Sequence, residues 1–584
     1  MSFFANFAAF AFQLGARSSD TLPASRVARH PLLGASAFLV ALTVILTWPQ
    51  ALYLGSRVAA HNDPLLSIWR LSWIAHVLPG HPQQLIDGNI FTPHVRTLAY
   101  SDATLLQGLL AAPWLWARMN PVFIYNVLLL GGIVLSGVGM FVLAQHLTGN
   151  ADAALVAAAI FTLLPYRILH FMHLELQWTM WMPLTLWAVH RVFETGSIRY
   201  GVATGALLGL QAISSLYYGA FLGIIVAVLT ILLAIADPRQ FKRALLPLSL
   251  GAAIALAAGA AYARPYVANT AVLGVRDPAE VANFSARLAS YVTAPQENWL
   301  WGWTAFRFDG DELRLFPGIA AIALAILALG LRRRRAIVVT YLVVMAVAAA
   351  FSLGFNNPVY RFLYAHVWPM QGFRAPARFG ILTGCALAVL AGFGFDYLAQ
   401  RFSRSRLRNG LLIAALVAIG VECGSAPMHL EELPRQTPDV YRFLRILDHA
   451  VVIELPIAEW DLAPVYMYWS TQHWHRLVNG YSGFSPPDYA ETLARMRTFP
   501  DDRSIERLQR LNVRYIVVHE MFYKPKEHAA LLLRLGRRED IAPAGRYRDW
   551  AGVAQVFELK RKSGEGCHSD SSRLSRETRR PPCS

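Results

Sequence analysis

A chain of 584 residues in which 55% are hydrophobic and only 15% charged is too apolar for a soluble globule and too long for one membrane crossing. The class left by these figures is a polytopic α-helical membrane protein. A net charge of +16 would suit nucleic acid, but the basic residues sit in short clusters between apolar runs and form no nucleic-acid module.

The opening MSFFANFAAFAF run is not a secretory signal, because its basic residues follow the apolar stretch and no small-residue cleavage site lies at a suitable distance. Residues 1–31 read as a cytoplasmic N-terminal segment. Apolar stretches near 32–54, 121–147, 151–166, 175–190, 200–214, 219–236, 244–262, 316–331, 336–354, 379–399 and 410–424 predict about eleven transmembrane helices across a hydrocarbon core of about 30 Å. They make 32–424 a membrane domain. Taken together, the segments 1–31, 148–150, 191–199, 237–243, 332–335 and 400–409 are rich in Lys and Arg compared with the loops between them on the other side, which places them inside. An odd number of spans then leaves everything after Gly424 outside.

Three outside loops, 55–120, 263–315 and 355–378, are too long to be mere connectors, and functional residues concentrate in such loops. After Gly424 the composition turns soluble. Strand-like runs at 451–455, 513–518 and 553–557 alternate with helical patterns, predicting an α/β domain over 425–560, with Thr437 as the cap of a helix begun by Pro438. The tail 561–584 is polar and aperiodic and is expected to be disordered. The four cysteines, two in apolar runs (Cys385, Cys423) and two in the tail (Cys567, Cys583), have neither metal-ligand spacing nor the pattern of a disulfide framework.

The chemistry-bearing residues cluster on the outer side. His61-Asn62-Asp63-Pro64 follows the first span, and the same loop holds Asp87, His94 and Asp102. A carboxylate at a membrane surface can act as general base towards a hydroxyl, although Asp before Pro also suits a helix cap. Arg374 and Arg378 precede a span at its outer end, against the charge rule. They suit a phosphate, which arginine binds in bidentate fashion, or headgroup snorkelling. Arg167, His170, His173 and Glu175 form a polar outer turn with two histidines at i, i+3, read as interfacial hydrogen bonding in preference to a metal site. Arg264, Tyr266, Asn298 and three tryptophans (299, 301, 303) suit a sugar or an interfacial aromatic belt. Gln472–His475 and Asn479–Phe484 read as loops with glycan-contact potential. The absence of a Walker-type loop and of a GxSxG elbow argues against an ATP-driven pump and a serine hydrolase.

A first apolar span followed at once by a long outside loop with an early Asp resembles the GT-C superfamily of polyprenyl-phosphate-sugar-dependent glycosyltransferases. The segments DPLLSIWRLSW, NIFTPHVRTLAYSD, PYRILHFMHLELQW, FRAPARF and LVNGYSGFSPP are similar to those of bacterial membrane proteins in or near that superfamily, over most of residues 35–520. The resemblance implies a GT-C-like fold for 32–424 and a periplasmic 425–560 domain. It also implies inverting transfer of a sugar from a lipid-linked donor to a glycan, lipid or protein acceptor at the outer face of a bacterial inner membrane. Asp63 then matches the catalytic-base position, and Asp102 or Asp87 the second carboxylate. Arg374 and Arg378 would hold the donor phosphate, and His61, His94, Arg167, His170, His173 and Glu175 would contact substrate. A divalent cation, Mg or Mn, is the cofactor such chemistry could use. The rival readings are a transporter or flippase of lipid-linked sugars, and a non-catalytic envelope assembly protein.

Overall fold

The computed structural model describes residues 29–307, 310–434, 436–458 and 462–560. Most of the N-terminal segment and all of the 561–584 tail lie outside them. Helices occupy the apolar stretches because a run without polar side chains can satisfy its backbone in lipid only internally. Among the described residues six helices are long and apolar enough to cross a membrane: Pro121–Thr148, Ala151–Leu169, Leu216–Ala236, Pro238–Leu273, Arg332–Ser352 and Pro376–Ala399. The expected count of about eleven is therefore not reached on length and hydropathy. The remaining apolar stretches form shorter helices such as Ile319–Leu327, or more polar ones such as Trp181–Thr195 and Ser405–Glu422.

Local signals set the boundaries. Asn120 accepts from the backbone N–H of Val122 at 2.8 Å with Pro121 in the first helical position, and Gly149 ends that helix at φ +71. Asn150 then caps the next helix, and Asp237 the one begun by Pro238. Thr437 does not cap its helix; the chain enters at Pro438, and the Thr437 hydroxyl donates to Gln472 Oε1 at 3.1 Å.

The helices pack in two tiers. Pro121–Thr148, Ala151–Leu169 and Pro376–Ala399 are mostly buried against neighbours, whereas Leu216–Ala236, Pro238–Leu273 and Arg332–Ser352 expose most of their surface, including Ile235 and Leu256. Apolar surface of that extent needs lipid rather than water beside it. One end of the bundle gathers the basic turns: Arg334 donates to Leu147 O, Asn150 to Asp396 at 2.8 Å, and His146 contacts Glu194 at 2.8 Å. The other end carries the long loops.

The C-terminal region holds a five-stranded sheet, β4(Arg476–Leu477)-β3(Val451–Leu455)-β5(Val513–His519)-β7(Gly552–Leu559)-β6(Ile541–Asp549). β3 runs parallel to β4 and β5, while β7 pairs antiparallel with β5 and β6. The three strand-like runs of the sequence are β3, β5 and β7. The sheet shares a core with the first long loop, in which Leu66, Trp69, Trp73, Phe91 and Tyr100 pack with Tyr441, Val452, Met467 and Leu477. The backbone joins as well: Thr92 N donates to Leu477 O at 2.9 Å, and Leu477 N to Asn89 O at 2.7 Å. A further ladder pairs β1(Arg57–Ala59) antiparallel with β2(Leu430–Glu432), so the chain just after the first helix and the chain just after the last lie side by side.

Candidate active site at the loop end of the bundle

Asp63 opens the helix Asp63–Val77, but Asn62 occupies the cap position and neither makes a side-chain capping bond. The Asp63 carboxylate points elsewhere. Its Oδ1 accepts from the Tyr481 hydroxyl at 3.0 Å, and its Oδ2 lies 3.2 Å from His61 Nδ1 and 3.5 Å from His173 Nε2. His61 Nδ1 is also 3.2 Å from the Asp63 backbone N–H. A neutral His61 can accept from that N–H, and a protonated one can donate to the carboxylate instead. Burial alone would raise the pKa of Asp63, but His173 and His61 outweigh it and hold the group well below the usual carboxylate range. The side chain remains 18% exposed, so a reactant can reach it.

Arg70 follows Asp63 by seven residues, two turns along the same helix face. It is 3% exposed, donates to Ser101 Oγ and lies 3.9 Å from Glu175. His170 and His173 sit edge to face, with centroids 5.6 Å apart. While His173 meets Asp63, His170 Nε2 lies 3.5 Å from Glu312 Oε2. Glu312 in turn binds Arg378, which donates from Nε at 3.0 Å and from its terminal nitrogen at 2.5 Å. Burial works against ionisation of Glu312, but Arg378 and His170 hold it down at about 2. The polar outer turn thus joins two carboxylates through a pair of histidines, and the second carboxylate is Glu312.

The other candidates have different partners. Both oxygens of Asp102 serve the start of Leu216–Ala236, accepting from Ser215 Oγ and the Leu216 N–H at 2.8 Å each. Burial and the neighbouring Glu175 push its carboxyl up to about 6. Asp87 accepts from the Arg96 N–H at 2.9 Å and shapes the loop. His94 contacts Asp488 at 2.7 Å, at the seam with the C-terminal region. Arg167 is 2% exposed and turned inward, donating to Phe161 O and Thr179 Oγ1. Arg374 pairs with Glu280 at 3.3 Å, and its backbone N–H donates to the Tyr217 hydroxyl. Arg374 and Arg378 therefore face different carboxylates. Among the described residues, no group of three or more His, Cys, Asp or Glu converges to hold a metal ion.

No protein-family model matches the chain, and no curated protein matches it.

Sequence reasoning did not single out Arg70 or Glu312, and marked Tyr481 only as part of a loop with glycan-contact potential, not as a partner of Asp63. Arg70 was accessible through its i+7 relation to Asp63. Tyr481 lies 418 positions from Asp63, and no local pattern reports such a contact. Its loop is shaped by close approach: a side chain at Gly480 would strike the Phe91 ring at 2.6 Å. Next to Tyr481, Ser482 bonds Ser101 at 2.9 Å, and Gly483 O accepts from Arg276 at 2.7 Å.

Proposed function

We propose that this chain is a membrane glycosyltransferase of GT-C type that moves a sugar from a polyprenyl-phosphate-linked donor to a glycan, lipid or protein acceptor at the outer face of a bacterial inner membrane. The observation that carries the reading is the Asp63 carboxylate, held ionised by His173 and His61, oriented by Tyr481 and still open to a reactant. In the reaction the acceptor hydroxyl gives its proton to Asp63, and its oxygen bonds to the anomeric carbon. The bond from that carbon to the phosphate oxygen breaks, and the electron pair leaves on the phosphate, so the anomeric configuration inverts. A strongly acidic carboxyl is a weak base. It suits a transition state in which the sugar carbon carries positive charge and the proton moves late, since the carboxylate also stabilises that charge.

The β1–β2 ladder supports the topology. It holds residues 57–59 and 430–432 together, so an even number of crossings separates them. All six long apolar helices lie between these strands. In the eleven-span reading, the shorter or more polar helices bring the total beyond Arg57 to ten, which is also even. With the first helix crossing as well, the N-terminus is cytoplasmic and the C-terminal region periplasmic. Reporters fused after Arg335 and Arg408 should read inside and one at Glu431 outside; a cytoplasmic signal at Glu431 refutes the arrangement.

The test of the chemistry is Asp63→Asn in purified full-length protein, supplied with a panel of radiolabelled polyprenyl-phosphate sugars and envelope acceptors. Transfer seen with the native chain should fall about 10²- to 10⁴-fold, the usual loss with a general base, while folding is kept. Undiminished transfer would remove Asp63 from the chemistry.

A further inference from the structure

A groove of about 940 Å³ runs between Leu216–Ala236 and Pro238–Leu273. It exists because the second of these helices is drawn to a different neighbour. Glycines let it meet Ile198–Ser214 backbone to backbone: a Cβ at Gly201 would stand 2.1 Å from Pro247 O, and one at Gly205 2.2 Å from Gly251 O. The space left on the other side is walled by small residues, among them Ala220, Gly223, Ala227, Ala255 and Gly259. From Leu216 to Ile231 it extends about 22 Å at 1.5 Å per helical residue, longer than one leaflet's hydrocarbon.

The loop end of this groove is cationic. Arg276 lines it, is only 7% exposed and lies over the Phe484 ring at 3.3 Å. Its terminal nitrogen donates to Gly483 O at 2.7 Å and approaches Glu280 at 3.4 Å, yet its Nε is buried with no hydrogen-bond partner. A buried cationic donor without an acceptor is costly and calls for a ligand. Glu280 is shared between Arg276 and Arg374, leaving this group with a surplus positive charge. Asp102 also lines the mouth, but both its oxygens are taken by Ser215 and Leu216.

We infer that the groove binds a lipid bearing a phosphate, with its hydrocarbon between Leu216–Ala236 and Pro238–Leu273 and a phosphate oxygen on Arg276. The inference deepens the proposed transfer and rests on it in one respect, that the bound lipid is the sugar donor. Gly483 on Arg276 is two residues from Tyr481 on Asp63, within about 7 Å along the chain, so one short loop ties the mouth of the groove to the base.

The test measures lipid binding and not transfer, so it fails separately from the Asp63 experiment. Purified full-length protein is titrated in detergent with polyprenyl phosphate, with the uncharged polyprenol, and with phosphatidylglycerol. Arg276→Gln keeps donors for Gly483 O but removes the charge. Gly223→Leu and Gly259→Leu fill the groove, and a Cβ at either position meets nothing within 4 Å, so folding should be kept. Gly420→Leu, equally open and remote from the groove, is the control. Polyprenyl phosphate binding should weaken at least tenfold with Arg276→Gln and with both groove fillers, while polyprenol should respond only to the fillers. Tighter binding of polyprenyl phosphate than of phosphatidylglycerol makes the occupant the donor; equal binding keeps the site but makes the occupant a membrane phospholipid. Unchanged polyprenyl phosphate binding in folded Gly223→Leu and Gly259→Leu overturns the inference.

Discussion

Two clusters of buried charge, one at the loop end of the helix bundle and one inside the C-terminal sheet, use the same residue types to opposite ends. In the first, Asp63 is met by His61, His173 and Tyr481 and stays partly open, with His61 itself 42% exposed. In the second, His519 is clamped between Asp549 at 2.6 Å and Glu454 at 2.9 Å, and Glu454 also accepts from Tyr441 at 2.7 Å. The Tyr466 ring covers the imidazole, and the histidine has no exposure. One carboxylate among several donors is left able to accept a proton from outside. One histidine between two carboxylates closes on itself and braces β5 against β3 and β6. Access and the ratio of donors to acceptors separate the two clusters.

The comparison breaks most visibly at His519. His519→Ala leaves Glu454 and Asp549 buried without their cation, and thermal unfolding of the full chain in detergent should show a loss of about 3–5 kcal/mol. A loss below 1 kcal/mol would mean that the cluster does not brace the sheet. Glu312→Gln comes next. It removes the charge that meets both Arg378 and His170 but keeps an acceptor, so about 1–3 kcal/mol is expected in the same assay.

The pH dependence should distinguish the clusters by sign. Burial by itself would lower the His519 value, but its hydrogen bonds to Asp549 and Glu454 outweigh that and raise it from 6.5 to about 9. The folded state therefore holds the proton more tightly than the unfolded one. This contribution is complete below pH 6.5 and is lost as the pH rises through about 9. Asp63 is depressed from 3.8, so its contribution is present above that value and lost as the pH falls below it. Stability profiles of the native chain and His519→Gln should lie furthest apart below pH 6.5 and converge as the pH rises from 6.5 to about 9; a constant gap across that interval would contradict the assignment. The smallest effect is expected at His94, whose contact with Asp488 is partly exposed. His94→Ala should cost no more than about 1 kcal/mol by the same unfolding measurement, as expected for a pair screened by solvent.

The legible part of the fold follows from local chemistry. Leu216–Ala236 is helical because its composition allows nothing else in lipid, and β3, β5 and β7 show themselves as β-branched runs. The strands β1 and β6 escaped notice, since Arg57–Ala59 is too short for a pattern and Ile541–Asp549 is half exposed and interrupted by Pro543 and Gly545. In the site, Asp63 and His173 were legible as polar residues where the chain should leave the bilayer. Asp102 was legible as a carboxylate but not as the partner of a helix start 114 positions away.

The amino-acid sequence by itself decided that the chain is mostly helical and apolar and where its basic clusters lie, because those properties depend on residues within a few turns of one another. The tertiary structure decided which charges meet. Tyr481 reaches Asp63, Glu312 takes Arg378, and Arg276 is left at the mouth of a groove that the glycine contacts of Pro238–Leu273 hold open. Each of these pairings spans tens to hundreds of residues, and a buried charge finds its partner by packing rather than by spacing along the chain.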